Sequence, residues 1–168
     1  MIALARWLPD DTPALQRAIV ERALADVGLL EEPPGSNRSP AIDAYLTAVG
    51  SPLGSSWCAA ALAAWYRESG ARLPVAEAGV CDAWHAMGTS RLTLRKAPAI
   101  GSVVLYNYTI VGHADHCGVV VRTDPVVLTV EGNTTMKRQV GDQREGTGCT
   151  IGELDAAHLL AYVVPELA

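Results

Sequence analysis

The sequence lacks several features that would assign it to other classes of protein. It contains no phenylalanine, and much of its 49% hydrophobic content is alanine. No apolar run approaches the roughly 20 residues that a membrane-spanning helix needs, so we expect no membrane insertion. Positive charge is scarce, since the formal net charge is −5 and the pI is about 5.3. A nucleic-acid-binding protein usually has a basic surface, so nucleic acid is not an expected partner.

The segment from Met1 to Asp10 is too short, and becomes acidic too early, for a secretory signal. We therefore expect synthesis in the cytoplasm, with action elsewhere depending on a separate release or delivery route. A length of 168 residues fits one domain with a substantial core. We interpret residues 1–168 as a single domain, with a helical part over about 10–88 and a sheet part over about 100–165.

Cysteine is also sparse and irregularly spaced. The four cysteines, Cys58, Cys81, Cys117 and Cys149, form neither a Cys-x-x-Cys pair nor a zinc-finger pattern. A disulfide framework is not expected without a secretory signal, although the even number leaves room for one bridge. We interpret Cys81, Cys117 and Cys149 as small apolar residues of the core.

The first half of the sequence has helical periodicity. Four helices are predicted: one that starts at Thr12-Pro13 and ends before Pro33-Pro34-Gly35, one from Ser39-Pro40 to Gly50, one over about Ser56–Ser69, and one over Val80–Met87.

The second half has the alternation of β-strands. Strands are predicted over Gly101–Tyr108, His116–Arg122, Val126–Glu131 and Leu159–Val164, with a loop or broken hairpin over Thr134–Gly148. Helices followed by consecutive strands predict an α+β fold, in which N-terminal helices pack on an antiparallel sheet.

A cysteine at the start of a predicted helix is the first candidate for a reactive group. Cys58 follows Ser55-Ser56-Trp57 and precedes an alanine-rich run. The free N–H groups and the positive dipole end of a helix N-terminus favour thiolate over thiol. The pattern predicts Cys58 as a nucleophile, with its own backbone N–H available to stabilise an oxyanion.

A cysteine nucleophile needs a base, and the base needs an orienting group. His116 begins a predicted strand, and Glu131 and Asn133 follow near the end of the next one. Since alternate residues of a strand share a face, antiparallel neighbours would bring the imidazole beside one of these side chains. We predict His116 as the base and Glu131 or Asn133 as its partner.

Two alternatives remain at this histidine. His113 lies in the preceding loop and competes for the role of base, although a strand would position His116 more rigidly. Together with Asp115 and Cys117, the two histidines are also compatible with a metal cluster. No second compact pair of ligands follows, apart from the distant Cys149 and His158, so we predict neither a metal nor a cofactor.

Four residues are candidates for substrate contacts. Trp57 is adjacent to the predicted nucleophile, and an aromatic ring there would line a cleft for a sugar or peptide. Asn37, Ser56 and His113 are the other candidates.

These segments, taken in order, resemble the CHAP and NlpC/P60-like amidases and peptidases, which are papain-like cysteine hydrolases of bacterial cell walls, and more narrowly a phage-associated group among them. The resemblance extends from about Ala23 to Val164. Its motifs are Ser36-Asn37, Asp43-Ala44-Tyr45-Leu46, Trp57-Cys58-Ala59-Ala60, Pro98-Ala99-Ile100-Gly101-Ser102-Val103-Val104, His116-Cys117-Gly118-Val119-Val120 and Glu131-Gly132-Asn133. One departure is the insertion of Gly112-His113-Ala114-Asp115 where the family has Gly directly before its histidine.

The resemblance implies a papain-like fold and hydrolysis of an amide bond in peptidoglycan, without a cofactor. The enzyme would be an N-acetylmuramoyl-L-alanine amidase or an endopeptidase of the stem peptide or cross-bridge. It implies Cys58 as nucleophile, His116 as base, Glu131 as imidazole partner and Asn133 as a second polar group. Action in the periplasm or cell wall would follow release by a holin, or delivery by a phage tail or a secretion system.

Two other functions remain compatible with the sequence. A papain-like deamidase or acyltransferase toxin would use the same residues on a protein substrate, and an immunity protein would then be a partner. A non-catalytic cell-wall-binding module would retain the fold, but such a module has no chemical need to keep the cysteine, the histidine and the glutamate together.

Overall fold

The computed structural model describes residues 8–71, 79–90, 93–109, 111–135 and 145–164. These residues form a mixed α+β structure with an antiparallel sheet, which confirms the predicted class. The elements are α1 (Ala14–Ala25), α2 (Pro40–Ala48), α3 (Cys58–Glu68), α4 (Cys81–Ser90), β1 (Thr93–Arg95), β2 (Val103–Tyr106), β3 (His116–Arg122), β4 (Leu128–Thr134), β5 (Gly148–Glu153) and β6 (Leu159–Val164). In the described part of the chain, no helix has both the length and the apolar character needed to cross a bilayer.

The strands form one sheet in the order β1-β6-β2-β3-β4-β5. Every neighbouring pair is antiparallel, and β3 lies in the interior of the sheet between β2 and β4. Tyr106 of β2 is the register partner of His116, and Val119 of β3 is the partner of Val130. The ends of β2, β3 and β4 therefore meet at the place where the sequence predicts the catalytic groups.

Helix α3 is the central helix and packs on β3 and β4 as well as on α1 and α2. Its residues from Cys58 to Tyr66 are all buried, because its alanines let the helix backbone approach the sheet closely. At the helix start, the ring of Trp57 lies over Gly132 of β4, where a Cβ would be only 2.6 Å from Trp57 Cζ3. The absence of a side chain at residue 132 thus places the N-terminus of α3 directly on the sheet.

A polar contact joins the three N-terminal helices. Asp26, the C-cap residue of α1, accepts hydrogen bonds from Tyr45 Oη at 2.6 Å and from Trp65 Nε1 at 2.7 Å. One carboxylate oxygen thereby connects α1 with α2 and α3.

The first helix ends earlier than predicted, at Ala25 rather than before Pro33. Gly28 adopts φ 96°, and the chain then pairs with the sheet. Gly28 N donates to Cys149 O, and Glu31 N donates to Thr147 O, both at 2.9 Å. Of the apolar residues beyond Ala25 that fitted a helical period, Val27 lies in the turn after α1 and Leu30 pairs with Gly148 at the start of β5.

The sheet also differs from the prediction at its edges. Strand β5 and the three-residue β1 were not predicted, because each lies at an edge with one-sided support and has no clear alternation. Strand β4 continues through Glu131 to Thr134, so the predicted end at Glu131 was too early. Residues 136–144 of the predicted loop lie outside the described residues.

A matched pair of substitutions tests the helix starts. Ser39 caps α2 by accepting a hydrogen bond from Ile42 N at 3.2 Å, whereas Pro13 stands at the N-cap of α1 and no side chain caps that helix. We expect Ser39→Ala to lower the free energy of unfolding by about 1 kcal/mol. Thr12→Ala should change it by less than about 0.5 kcal/mol. Denaturant unfolding measures both values, and equal losses would contradict the assigned caps.

Candidate active site

Cys58 is the first residue of α3 and follows the buried N-cap residue Trp57. Hydrogen bonds from the Cys117 and Cys81 thiols, together with the nearby His116 imidazole, hold the pKa of Cys58 well below its usual value of 9.0, against the opposing effect of burial. The helix N-terminus adds unpaired N–H groups and a positive dipole end, which also stabilise a thiolate. The local structure therefore favours an ionised sulfur at this position.

His116 is the first residue of β3 and is completely buried. Its Nε2 lies 3.1 Å from Glu131 Oε2, while Nδ1 is buried without a hydrogen bond of normal geometry. Burial lowers the pKa of His116, but interactions with Cys58 and Glu131 outweigh burial and raise this pKa to about 10. Because Glu131 occupies Nε2, Nδ1 is the ring nitrogen left to exchange a proton with Cys58.

Glu131 lies in the middle of β4 and is 1% exposed. Its Oε1 accepts hydrogen bonds from Tyr106 Oη at 2.7 Å and from the Thr129 hydroxyl at 2.6 Å, while Oε2 pairs with His116. A buried carboxylate is tolerated only when its oxygens have such partners. The two hydroxyl groups therefore fix the carboxylate in the position from which it orients the imidazole.

Gly118 provides the space for this arrangement. Glu131 leans across residue 118, and a Cβ there would lie 2.6 Å from Val130 O and closer still to Glu131 Cγ. Any side chain at this position would displace either the carboxylate or the β4 backbone. The glycine in the His-Cys-Gly segment is thus required by the position of the glutamate.

The three groups can act together as a nucleophilic unit. With the pKa of Cys58 lowered and that of His116 raised, the sulfur and the imidazole form a thiolate–imidazolium pair near neutral pH. The thiolate can attack a carbonyl carbon, and the imidazolium can give its proton to the departing group. The N–H groups of the first turn of α3 are available to an oxyanion that develops beside Cys58.

Asn133 lies two residues beyond Glu131 on the same strand. It is completely buried, has φ 55°, and accepts a hydrogen bond through its backbone oxygen from Gly146 N at 3.1 Å. The orienting contact that the structure gives to His116 comes from Glu131. Of the two alternatives for the imidazole partner, the geometry therefore selects the carboxylate.

Trp57 does not line a cleft in this structure. Its side chain is completely buried, and its Nε1 donates a hydrogen bond to Glu31 Oε1 at 3.0 Å. The other oxygen of Glu31 accepts from Asn37 N, also at 3.0 Å. The predicted substrate contact is corrected: the ring is needed to pack α3 on Gly132 and is not exposed to solvent.

The other three candidates for substrate contacts are accessible. Asn37 is half-buried with φ 54°, and its Nδ2 donates to Gly54 O at 3.3 Å. Ser56 is exposed and donates to Glu145 Oε1 at 2.5 Å. The contact of Asn37 and of Ser56 with a substrate stays a prediction.

His113 pairs with an aspartate of α4 and not with Glu131. Its side chain is 61% exposed, and its Nδ1 lies 2.6 Å from Asp82 Oδ2. In the described part of the chain, the predicted metal pattern around His113 and His116 does not bring its ligand atoms together. Of the two histidines, His116 is the one that pairs with Glu131 and interacts with Cys58.

The cysteines are arranged differently from the prediction. All four are free and buried. Cys149 behaves as a core residue, but the sulfurs of Cys58, Cys81 and Cys117 all lie within 4.8 Å of one another.

Burial raises the pKa of Cys117. The pKa of Cys81 is also raised, because the hydrogen bond with Cys58 and burial outweigh the lowering effect of Cys117. These raised pKa values favour the protonated form of the two thiols, which can then donate to the sulfur of Cys58.

Sequence reasoning missed the supporting residues Glu31, Tyr106 and Thr129. Tyr106 and His116 are cross-strand partners on one face of the sheet, and their rings stack with centroids 5.9 Å apart. Only the pairing of β2 with β3 shows that this tyrosine supports the site. Glu31 carries no local signal, because its partners come from distant parts of the chain.

In comparisons with known proteins, no family model, no curated protein and no solved structure matches this chain significantly.

Replacing Tyr106 tests the support of Glu131. Tyr106→Phe removes one hydrogen bond to a buried carboxylate, so we expect the free energy of unfolding to fall by about 1.5–3 kcal/mol. Denaturant unfolding measures this change. Tyr162→Phe, on another buried tyrosine of the same cluster, is the control, and equal effects of both variants would contradict the assignment.

The pH dependence of alkylation tests the thiolate. The thiolate fraction of Cys58 rises as pH passes its lowered pKa, so iodoacetamide should modify Cys58 at pH values well below 9. Cys117→Ala removes a thiol that donates to this sulfur, so the profile should shift to higher pH. Cys149→Ala should leave it unchanged. Mass spectrometry at Cys58 gives the rate, and a wild-type midpoint at or above pH 9 would contradict the prediction.

Proposed function

We propose that the protein is a papain-like cysteine hydrolase that cleaves an amide bond in bacterial peptidoglycan. The observation that carries this proposal is the buried group formed by Cys58, His116 and Glu131. The sulfur stands at a helix start, the imidazole interacts with it, and the carboxylate is 3.1 Å from the far ring nitrogen.

The first half of the proposed reaction forms an acyl-enzyme. The Cys58 thiolate attacks the carbonyl carbon of the amide, and the resulting oxyanion is stabilised by N–H groups at the start of α3. His116 donates its proton from Nδ1 to the amine, which leaves with that proton. Glu131 holds the imidazole in orientation throughout and stays ionised.

The second half releases the acid. A water molecule gives a proton to His116 Nδ1 and attacks the thioester carbon, and the Cys58 thiolate departs. The enzyme returns to the thiolate–imidazolium pair, with one water consumed and one amide bond broken. No cofactor is required by this sequence of steps.

The substrate class rests on the resemblance to the CHAP and NlpC/P60-like hydrolases. An α+β structure with a cysteine at the start of a central helix and a histidine at the start of a strand is compatible with the papain-like fold of those enzymes. We further propose that the protein reaches the cell wall by release or delivery, as a phage lysin or a secreted effector. A matching immunity protein would be expected only for an effector.

Digestion of purified peptidoglycan tests the proposal. Wild-type protein should release fragments that mass spectrometry identifies, and the identity of the new ends shows which amide bond is cut. Cys58→Ala should reduce the rate by at least about 10³-fold, because it removes the nucleophile. Cys149→Ala is the matched control, since it replaces a buried cysteine outside the site and should retain activity.

Two outcomes would overturn parts of the proposal. Equal fragments from wild type and Cys58→Ala would exclude Cys58 as the nucleophile. An absence of fragments from walls of several chemical types, with Cys58 still reactive towards iodoacetamide, would exclude peptidoglycan and favour a protein substrate.

A further inference from the structure

Two further thiols lie beside the proposed nucleophile, and the three sulfurs together form a cluster. Cys58 begins α3, Cys81 begins α4, and Cys117 is the second residue of β3. Their sulfurs lie within 4.8 Å of one another, and those of Cys58 and Cys81 are 3.6 Å apart. Three elements distant in sequence therefore deliver one sulfur each to the same point.

The spacing of the sulfurs matches that of metal ligands. Zinc–sulfur bonds are about 2.3 Å long, so two thiolates on a tetrahedral zinc ion are about 3.8 Å apart. The sulfurs of Cys58 and Cys81 already have this separation at 3.6 Å, and Cys117 lies within 4.8 Å of both, so a shared ion requires shifts of about 1 Å or less. A disulfide would use two of the three sulfurs and would leave the third without a role.

The scaffold holds the three residues in place. Asp82, which follows Cys81, accepts a hydrogen bond from Ala114 N at 2.7 Å and pairs with His113 at 2.6 Å. This contact ties the start of α4 to the segment just before β3, which carries Cys117. At the start of α3, the packing of Trp57 on Gly132 fixes Cys58. The cluster is therefore positioned before any ligand arrives.

The chemistry of the cluster selects the kind of ion. Thiolates are soft ligands that favour zinc and similar ions over magnesium or calcium. Cys117 is fully buried, while Cys58 and Cys81 retain 5% and 7% exposure. Three sulfurs occupy three positions of a tetrahedral ion and leave the fourth to a ligand such as water.

We propose that Cys58, Cys81 and Cys117 form a three-thiolate binding site for Zn²⁺. Binding forms three sulfur–zinc bonds, and the protons of those thiols that are still protonated pass to solvent. No electron is transferred, and a water molecule completes the tetrahedral coordination.

Zinc binding would make the proposed hydrolase reversibly inactive, a consequence that rests on the proposed function. A sulfur bonded to zinc cannot attack a carbonyl carbon, so the same ion that occupies the cluster removes the nucleophile. The binding itself depends only on the three thiols, and its test is therefore independent of activity.

Cobalt substitution tests the site directly. Chelator-treated, reduced protein is titrated with Co²⁺ under argon, and one equivalent should produce a sulfur-to-cobalt charge-transfer band that Zn²⁺ abolishes. Cys117→Ala, and both Cys81→Ala and Cys81→Ser, should weaken Zn²⁺ binding by at least about tenfold. Cys149→Ala, which removes a buried thiol outside the cluster, should bind as wild type does. Circular dichroism establishes that each variant is folded.

Several results would overturn the proposal. One is the absence of the charge-transfer band in the wild-type protein. Another is a Zn²⁺ affinity in the folded Cys81 and Cys117 variants that equals that of wild type. A third is loss of Zn²⁺ binding in Cys149→Ala. A Cys58–Cys81 disulfide that forms on mild peroxide treatment, without any Zn²⁺ binding by the reduced protein, would show that the cluster is a redox pair instead.

The activity measurement separates the two proposals. Zn²⁺ should inhibit wild-type hydrolysis and a chelator should restore it, while the folded Cys81 variants, each compared with its own zinc-free rate, should resist inhibition. Zn²⁺ binding without any hydrolysis would overturn the proposed function and retain the metal site. Hydrolysis that continues unchanged with the site fully loaded would disprove inhibition by zinc.

Discussion

The buried pair of His116 and Glu131 is the interaction on which the candidate site depends. Two charged groups removed from water are stable together only if their remaining polar atoms also have partners. Tyr106 and Thr129 supply partners to the carboxylate, and the missing side chain of Gly118 gives it room. The orientation of the imidazole towards Cys58 thus follows from the packing of β2, β3 and β4 against one another.

The second constraint is the close approach of α3 to the sheet. Its alanines and the packing of Trp57 on Gly132 bring a helix N-terminus against two strands, so that Cys58 interacts with the imidazole and with two further thiols. Both proposals rest on this one geometry. A thiolate stabilised by neighbouring donors is a good nucleophile, and three converging sulfurs are a good soft-metal ligand set.

The sequence-based predictions are correct where an element depends on neighbouring residues, and they fail where it depends on contacts between distant parts of the chain. Strand β3 has the predicted bounds, and α2 begins at the predicted Ser39-Pro40, because alternation and helix-start signals are local properties. The end of α1 was misplaced, because Gly28 leaves the helix to pair with the β5 region more than a hundred residues away. Trp57 was assigned to a cleft, although its ring is needed over Gly132, a contact that no local pattern indicates.

By itself, the sequence determined the fold class and the elements that carry Cys58, His116 and Glu131, since periodicity and helix-start signals depend on neighbouring residues. Only the tertiary structure decided that Glu131 rather than Asn133 pairs with the imidazole, that His113 pairs with Asp82, and that three of four cysteines meet. The physical reason is that strand register and helix docking set these contacts, and both arise from the packing of residues far apart in the chain.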